Sequence, residues 1–135
     1  MIGLPAKFRI KVHNGTGVAI AANDLNVKVC LQKFDGSGAA TESPVQTLYS
    51  NAGSLATATY EAGAWFDNTT AHWIGFHGLV YSNVTGAPAG TIKVFLENTT
   101  DPDASPGDSP TDGRGWMLVE IAYAAAGAST RPIKV

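Results

Sequence analysis

Few side chains in this 135-residue chain have chemical reach. The three histidines are His13, His72 and His77. His72 and His77 stand at an odd separation, which sends them to opposite faces of a strand, so they cannot hold one metal together. Cys30 is the single cysteine, which excludes an internal disulfide and a thiolate zinc cluster, because each needs a second sulfur. Asp101, Asp103, Asp108 and Asp112 offer the carboxylate oxygens that calcium wants. Their spacing matches no Asp-x-Asp-x-Asp-Gly ligand loop, and Pro102, Pro106 and Pro110 stiffen the segment, so a solvated surface loop without metal is expected. Glu61, Asp67, Glu97 and Glu120 would suit acid and base roles if the fold gathered them, but nothing in their spacing says that it does.

Familiar enzyme motifs fail one by one. Gly15-Thr16-Gly17 has Ile20 where a dinucleotide fingerprint needs its third glycine, and no Gly-Lys-Ser/Thr or Gly-x-Ser-x-Gly occurs. Asp35-Gly36-Ser37-Gly38 has the wrong order for an aspartic-protease motif and reads as a hairpin loop. With so few ionisable groups to tune against one another, no catalytic, cofactor-binding or metal-binding residue is expected. The aromatics are the other resource. Tyr60, Trp65, Phe66, Trp73, Phe76 and Tyr81 crowd one stretch, and flat rings on an open sheet face either stack on sugars or anchor a protein partner. Trp65, Trp73, Tyr81 and Trp116 are the candidates for such a surface.

The elements that must position these residues have a period of two. Strands are predicted at 7–12, 26–33, 45–49, 55–60, 72–81, 91–97, 115–124 and 130–135. In 7–12, Phe8, Ile10 and Val12 alternate with Lys7, Arg9 and Lys11, the pattern of a strand with one wet face. In 115–124, Met117, Val119, Ile121 and Tyr123 oppose Trp116, Leu118, Glu120 and Ala122, which predicts a central strand covered on both sides. Pro132 confines the last strand to an edge. In 72–81, Ile74, Phe76 and Val80 form one apolar face and Trp73, Leu79 and Tyr81 the other. One face must be core, leaving the other covered by a loop, an oligomer contact or a ligand, while Gly75 and Gly78 mark a bulge or a close backbone approach. The alanine-rich run 122–128 has helical propensity but continues an alternating strand. Turn-rich connectors separate the strands without splitting the chain, so one all-β domain spans 1–135. It is an antiparallel β-sandwich of about eight strands, jelly-roll or immunoglobulin-like, with a short N-terminal arm at 1–6.

Charge bounds the partners. A net charge of −2 lacks the basic excess that nucleic acid or an anionic membrane surface would require. No apolar run reaches the roughly 18 residues of a membrane span. No secretory leader pattern opens the sequence, so synthesis in the cytosol is expected. Only 15% of residues are charged while 56 of 135 are Gly, Ala, Ser or Thr, an unusual surface for a protein that stays alone, since charge normally keeps surfaces apart. Four of the seven asparagines head Asn-x-Thr sequences, at Asn14, Asn68, Asn83 and Asn98. Both residue types favour turns and strand ends, which explains the recurrence better than glycosylation.

From Leu48 onward the order of features resembles small β-sandwich virion proteins of tailed bacteriophages. It runs Leu48-Tyr49-Ser50-Asn51-Ala52, an aromatic strand, Gly90-Thr91-Ile92-Lys93-Val94-Phe95-Leu96-Glu97-Asn98-Thr99-Thr100-Asp101, a Gly/Pro/Asp loop, the strand from Gly115-Trp116 to Tyr123, and Arg131-Pro132-Ile133-Lys134-Val135. The chain is similar to capsid decoration (cement) proteins and other head or tail accessory proteins of that group. The resemblance implies a non-enzymatic virion component, made in the host cytoplasm, that binds the major capsid protein or other virion proteins. It commonly implies a homo-oligomer, with a trimer favoured, and neither nucleic acid, membrane nor cofactor. Arg131, Ile133 and Val135 on the edge strand, with Ile2 and Leu4 in the arm, are its candidate docking edges. A carbohydrate-binding module on the tryptophans is the alternative.

Overall fold

The computed structural model describes residues 3–98, 105–110 and 115–135. Among them ten strands form: β1 (Lys7–Gly15), β2 (Leu25–Phe34), β3 (Ala40–Glu42), β4 (Gln46–Ser50), β5 (Thr59–Ala62), β6 (Phe66–Asp67), β7 (Gly75–Val84), β8 (Gly90–Asn98), β9 (Gly115–Tyr123) and β10 (Gly127–Lys134). All pairings are antiparallel. They build a β-sandwich of two five-stranded sheets. One runs β5-β1-β8-β9, with β6 also on β1; the other runs β10-β7-β2-β3, with β4 also on β2.

Alternation decides which side chains lie between the sheets. Phe8, Ile10 and Val12 of β1 and Ile92, Val94 and Leu96 of β8 are buried against Leu25, Val27, Val29 and Leu31 of β2 and Phe76, Val80 and Val84 of β7. Full burial of each such side chain contributes about 1.5–3 kcal/mol. Two polar contacts bridge the sheets. Tyr123 of β9 meets Ser82 of β7 at 2.6 Å between the oxygens, and Tyr49 of β4 donates to Glu61 of β5 at 2.9 Å. Burial first, then the Glu61 bond, pushes the Tyr49 phenol far above its ordinary range, so it stays a donor.

Several expectations are corrected. Strand 115–124 is an edge, not a central strand. A bulge inserts Leu118: Val94 pairs with Val119, but Phe95 pairs with Met117. The extra residue flips parity, so Trp116 packs with Val119 on the core and Met117 turns outward, 52% exposed. The strand expected at 55–60 begins only at Thr59, because Ala58 takes a left-handed conformation (φ 57°) and donates its N–H to Asn14. Leu55 makes an isolated bridge with Ile20 instead. The strand expected at 72–81 likewise begins after left-handed His72 (φ 54°) and extends to Val84.

The alanine-rich run forms no helix and carries the chain from β9 in one sheet to β10 in the other. Gly78 meets the close-approach expectation: a Cβ there would lie 2.1 Å from the Lys28 carbonyl oxygen on β2. β10 is an edge strand as Pro132 requires. Val135 and Phe76 exchange both N–H···O bonds, and alternation along the ladder then puts Pro132 opposite Leu79 at a rung whose backbone groups point away from β7. The missing proline N–H therefore faces the open side, where no ladder bond is lost.

Candidate interaction surface

Among the described residues, the outer face of the β10-β7-β2-β4 layer gathers most of the exposed large apolar side chains. Its geometry follows from registers. Ser50, Asn26, Tyr81 and Thr130 form one rung; Thr47, Lys28, Leu79 and Pro132 the next; Cys30, His77 and Lys134 a third. Glu42, Gln32 and Gly75 form the last. Leu79 is 51% exposed, Val45 beside the sheet 65%, and Tyr81 37%. They share a groove of about 550 Å³ floored by Val29, Cys30 and Gly78. At its end Phe34 and Ile74 add a second exposed apolar pair. Because Phe76, Val80 and Val84 fill the inner face of the same strand, β7 is apolar on both sides, and only one side has a partner.

The polar side chains around the groove are mostly engaged. Asn26 Oδ1 accepts from the Ser50 hydroxyl at 2.6 Å, and its amide donates to the Asn23 carbonyl at 2.8 Å. Glu42 Oε1 lies 2.9 Å from His77 Nε2 and accepts from Gln32 Nε2 at 3.0 Å. These bonds, His77 first, hold the Glu42 carboxyl below its ordinary value. Lys28 and Lys134 stand exposed on the two middle rungs.

The opposite outer face is covered where Arg9, Lys11 and Glu97 meet across β1 and β8, with Met117 and Trp65 exposed to either side. Arg9 and Lys11, expected to face water, are buried, and so is Glu97 beside them. Glu97 Oε1 accepts from Arg9 Nε at 2.6 Å, and its Oε2 lies 2.7 Å from Lys11 Nζ. Lys11 Nζ also donates to the carbonyls of Ser105 and Asp108, each at 2.8 Å. Residues 105–110 of the β8–β9 connection thus lie over this face, held through the backbone carbonyls of Ser105 and Asp108. Asp101, Asp103 and Asp112 lie outside the described residues, and among those described no three His, Cys, Asp or Glu side chains cluster as metal ligands.

Of the predicted surface residues, Tyr81 alone reaches the groove. Trp65 lies under the Arg9 guanidinium, 4.2 Å from ring to cation. Trp73 packs on the core with Lys33 Nζ 4.5 Å above it, and Trp116 packs on the core too. The docking edges are likewise dispersed. Ile2 falls outside the described residues. Leu4 packs on the core, and residues 3–6 are no free arm, since the Ala6 and Pro5 carbonyls accept from Asn68. Ile133 is buried and Val135 packs on the core, leaving only Arg131 exposed. Glu61, Asp67 and Glu97 are engaged separately, by Tyr49, Thr69 and the Arg9–Lys11 pair, while Glu120 is exposed.

The sequons prove structural where they are buried. Asn14 gives its amide to the carbonyls of Val18, Leu55 and Ala56 and accepts from the Thr16 hydroxyl at 2.7 Å. The third residue of the sequon thus serves as the partner of the first. Asn68 is bound to Pro5 and Trp73. Lys28, Cys30 and Val45 are not among the candidate interaction residues that the sequence offers; the signal for them is the uncovered Leu79–Tyr81 face of β7, whose neighbours sequence order does not reveal.

Comparison with protein-family models, with curated proteins and with solved structures finds no match.

Proposed function

We propose that this protein is a non-enzymatic virion component of a tailed phage that works by assembly, most simply as a decoration protein reinforcing the head shell. The observation that supports this reading is the uncovered apolar face of β7, with Leu79, Tyr81 and Val45 around one groove. Contiguous apolar surface of that kind marks interaction sites in soluble proteins. The sequence resemblance points to the same class. A sugar-stacking platform draws less support, because Trp65, Trp73 and Trp116 are each occupied separately by a cation or the core.

Sedimentation velocity of the purified chain, alone and mixed with expanded phage heads, tests the proposal. Co-sedimentation with the heads, as a trimer or as monomers, is expected. A strict monomer that stays in the supernatant overturns it. Tryptophan fluorescence unchanged by oligosaccharides is expected; strong quenching would transfer support to a carbohydrate-binding module.

A further inference from the structure

We infer that the open β10-β7-β2-β4 face takes a protein surface that is apolar at its centre and acidic at its rim, and not a second copy of the same face. This rests on the assembly reading above and specifies its partner. The apolar stripe of Leu79, Tyr81 and Val45 is flanked by the lysines of two adjacent rungs, Lys28 beside Leu79 and Lys134 beside His77. The rungs carry a single carboxylate, Glu42, and His77 and Gln32 already occupy its Oε1. A chain with a net charge of −2 therefore turns a locally cationic face outward.

Two-fold association is isologous, so every residue of the patch must be complemented by the patch itself. Two copies laid face to face would oppose four lysines with two carboxylates that are already engaged, and like charges across an interface select against a partner. An apolar protrusion ringed by Asp or Glu satisfies both features. Its leucine-like centre covers Leu79 and Tyr81, and its carboxylates meet Lys28 and Lys134.

Cys30 supplies the readout, being the only cysteine, half-buried, and part of the groove wall. Its labelling by a neutral maleimide is followed in the full-length chain with three probes: a Leu/Glu peptide, its Leu/Lys counterpart, and expanded phage heads. With the acidic peptide at about twice its Kd, labelling slows about threefold, since the free fraction falls as 1 + [L]/Kd. The effect fades at about 1 M salt, where screening reaches only about 3 Å. The basic peptide leaves the rate unchanged. Lys28→Glu with Lys134→Glu, both exposed and checked for folding by circular dichroism, reverses the preference.

Equal protection by both peptides, or none by the acidic one, overturns the inference. So does a dimer of the isolated chain that Leu79→Asp dissolves. Heads that co-sediment while Cys30 labels at its free rate overturn this face but leave the virion role standing. Protection by the acidic peptide without any binding to heads does the reverse.

Discussion

Replacing Glu97 with glutamine keeps the side chain's shape and removes the charge that Arg9 Nε and Lys11 Nζ approach at 2.6 and 2.7 Å. Both cations are buried, Lys11 completely. Stripping one partner from a buried ion pair costs about 3–5 kcal/mol, because the remaining charge stays desolvated. Lys11 keeps its bonds to the Ser105 and Asp108 carbonyls, which places Glu97→Gln near the lower end, about 3 kcal/mol. With a urea m-value of about 2 kcal/mol/M for a domain of this size, the unfolding midpoint falls by about 1.5 M. Lys11→Met leaves Glu97 with Arg9 but unfastens the loop, at about 3 kcal/mol for two bonds to a charged donor. The double variant loses less than the sum by about 1–3 kcal/mol, since the two side chains share one interaction. Chemical denaturation followed by tryptophan fluorescence measures all three. A midpoint shift below about 0.5 M for Glu97→Gln, or strict additivity in the double variant, would refute the picture of a dry, coupled charge cluster.

Three further outcomes are expected. Expressed in a glycosylating host, the folded protein carries no glycan at Asn14 or Asn68, as peptide mass mapping will show, and Asn14→Asp, which aims an oxygen at three carbonyls, lowers stability by about 3 kcal/mol in urea titration. Gly78→Ala forces a Cβ to within 2.1 Å of the Lys28 carbonyl oxygen and lowers stability by about 3 kcal/mol, read as a lower melting temperature. Burial, and then the charge of Lys93, holds His13 below its ordinary 6.5, so the unfolded chain takes up the proton first. Stability is therefore complete above about pH 6.5 and declines as pH falls, until folded His13 is itself protonated. His13→Phe, which keeps a ring against Tyr60, removes that decline from melts taken between pH 8 and 5. Glu42, Asp35 and Asp67, whose carboxyls hydrogen bonds hold low, lose their contribution only at more acid pH in either protein.

The sandwich was legible because period-two alternation is local, and Phe8-Ile10-Val12 or Val27-Val29-Leu31 declares its inner face without knowledge of the partner strand. What the neighbours do was not legible. Arg9 and Lys11 read as wet because their counterion Glu97 and the carbonyls of Ser105 and Asp108 lie far along the chain. One bulge residue, Leu118, which no propensity marks, takes Trp116 from the candidate surface to the core. β3 and β6 are too short to show a period at all. The groove was half legible: apolar residues at Leu79 and Tyr81 opposite Phe76 and Val80 announced a second face, but its lysines and Val45 come from β2, β10 and the residue just before β4, whose adjacency is a property of topology.

The interior placement of β1 also sets an order of events during synthesis. β1 lies between β5 and β8 in its sheet, and its buried lysine is satisfied by a loop that follows β8. While the ribosome adds about 5–20 residues each second, β1 emerges with one edge unpaired and waits several seconds for β8. The second sheet waits longer still, because its last strand, β10, joins a sheet that begins with the early-made β2. Pairing dominated by such distant segments folds slowly. The cell therefore holds a nascent chain whose first strand keeps its β8 edge open, and a chaperone that shields residues 7–15 during that interval would raise yield.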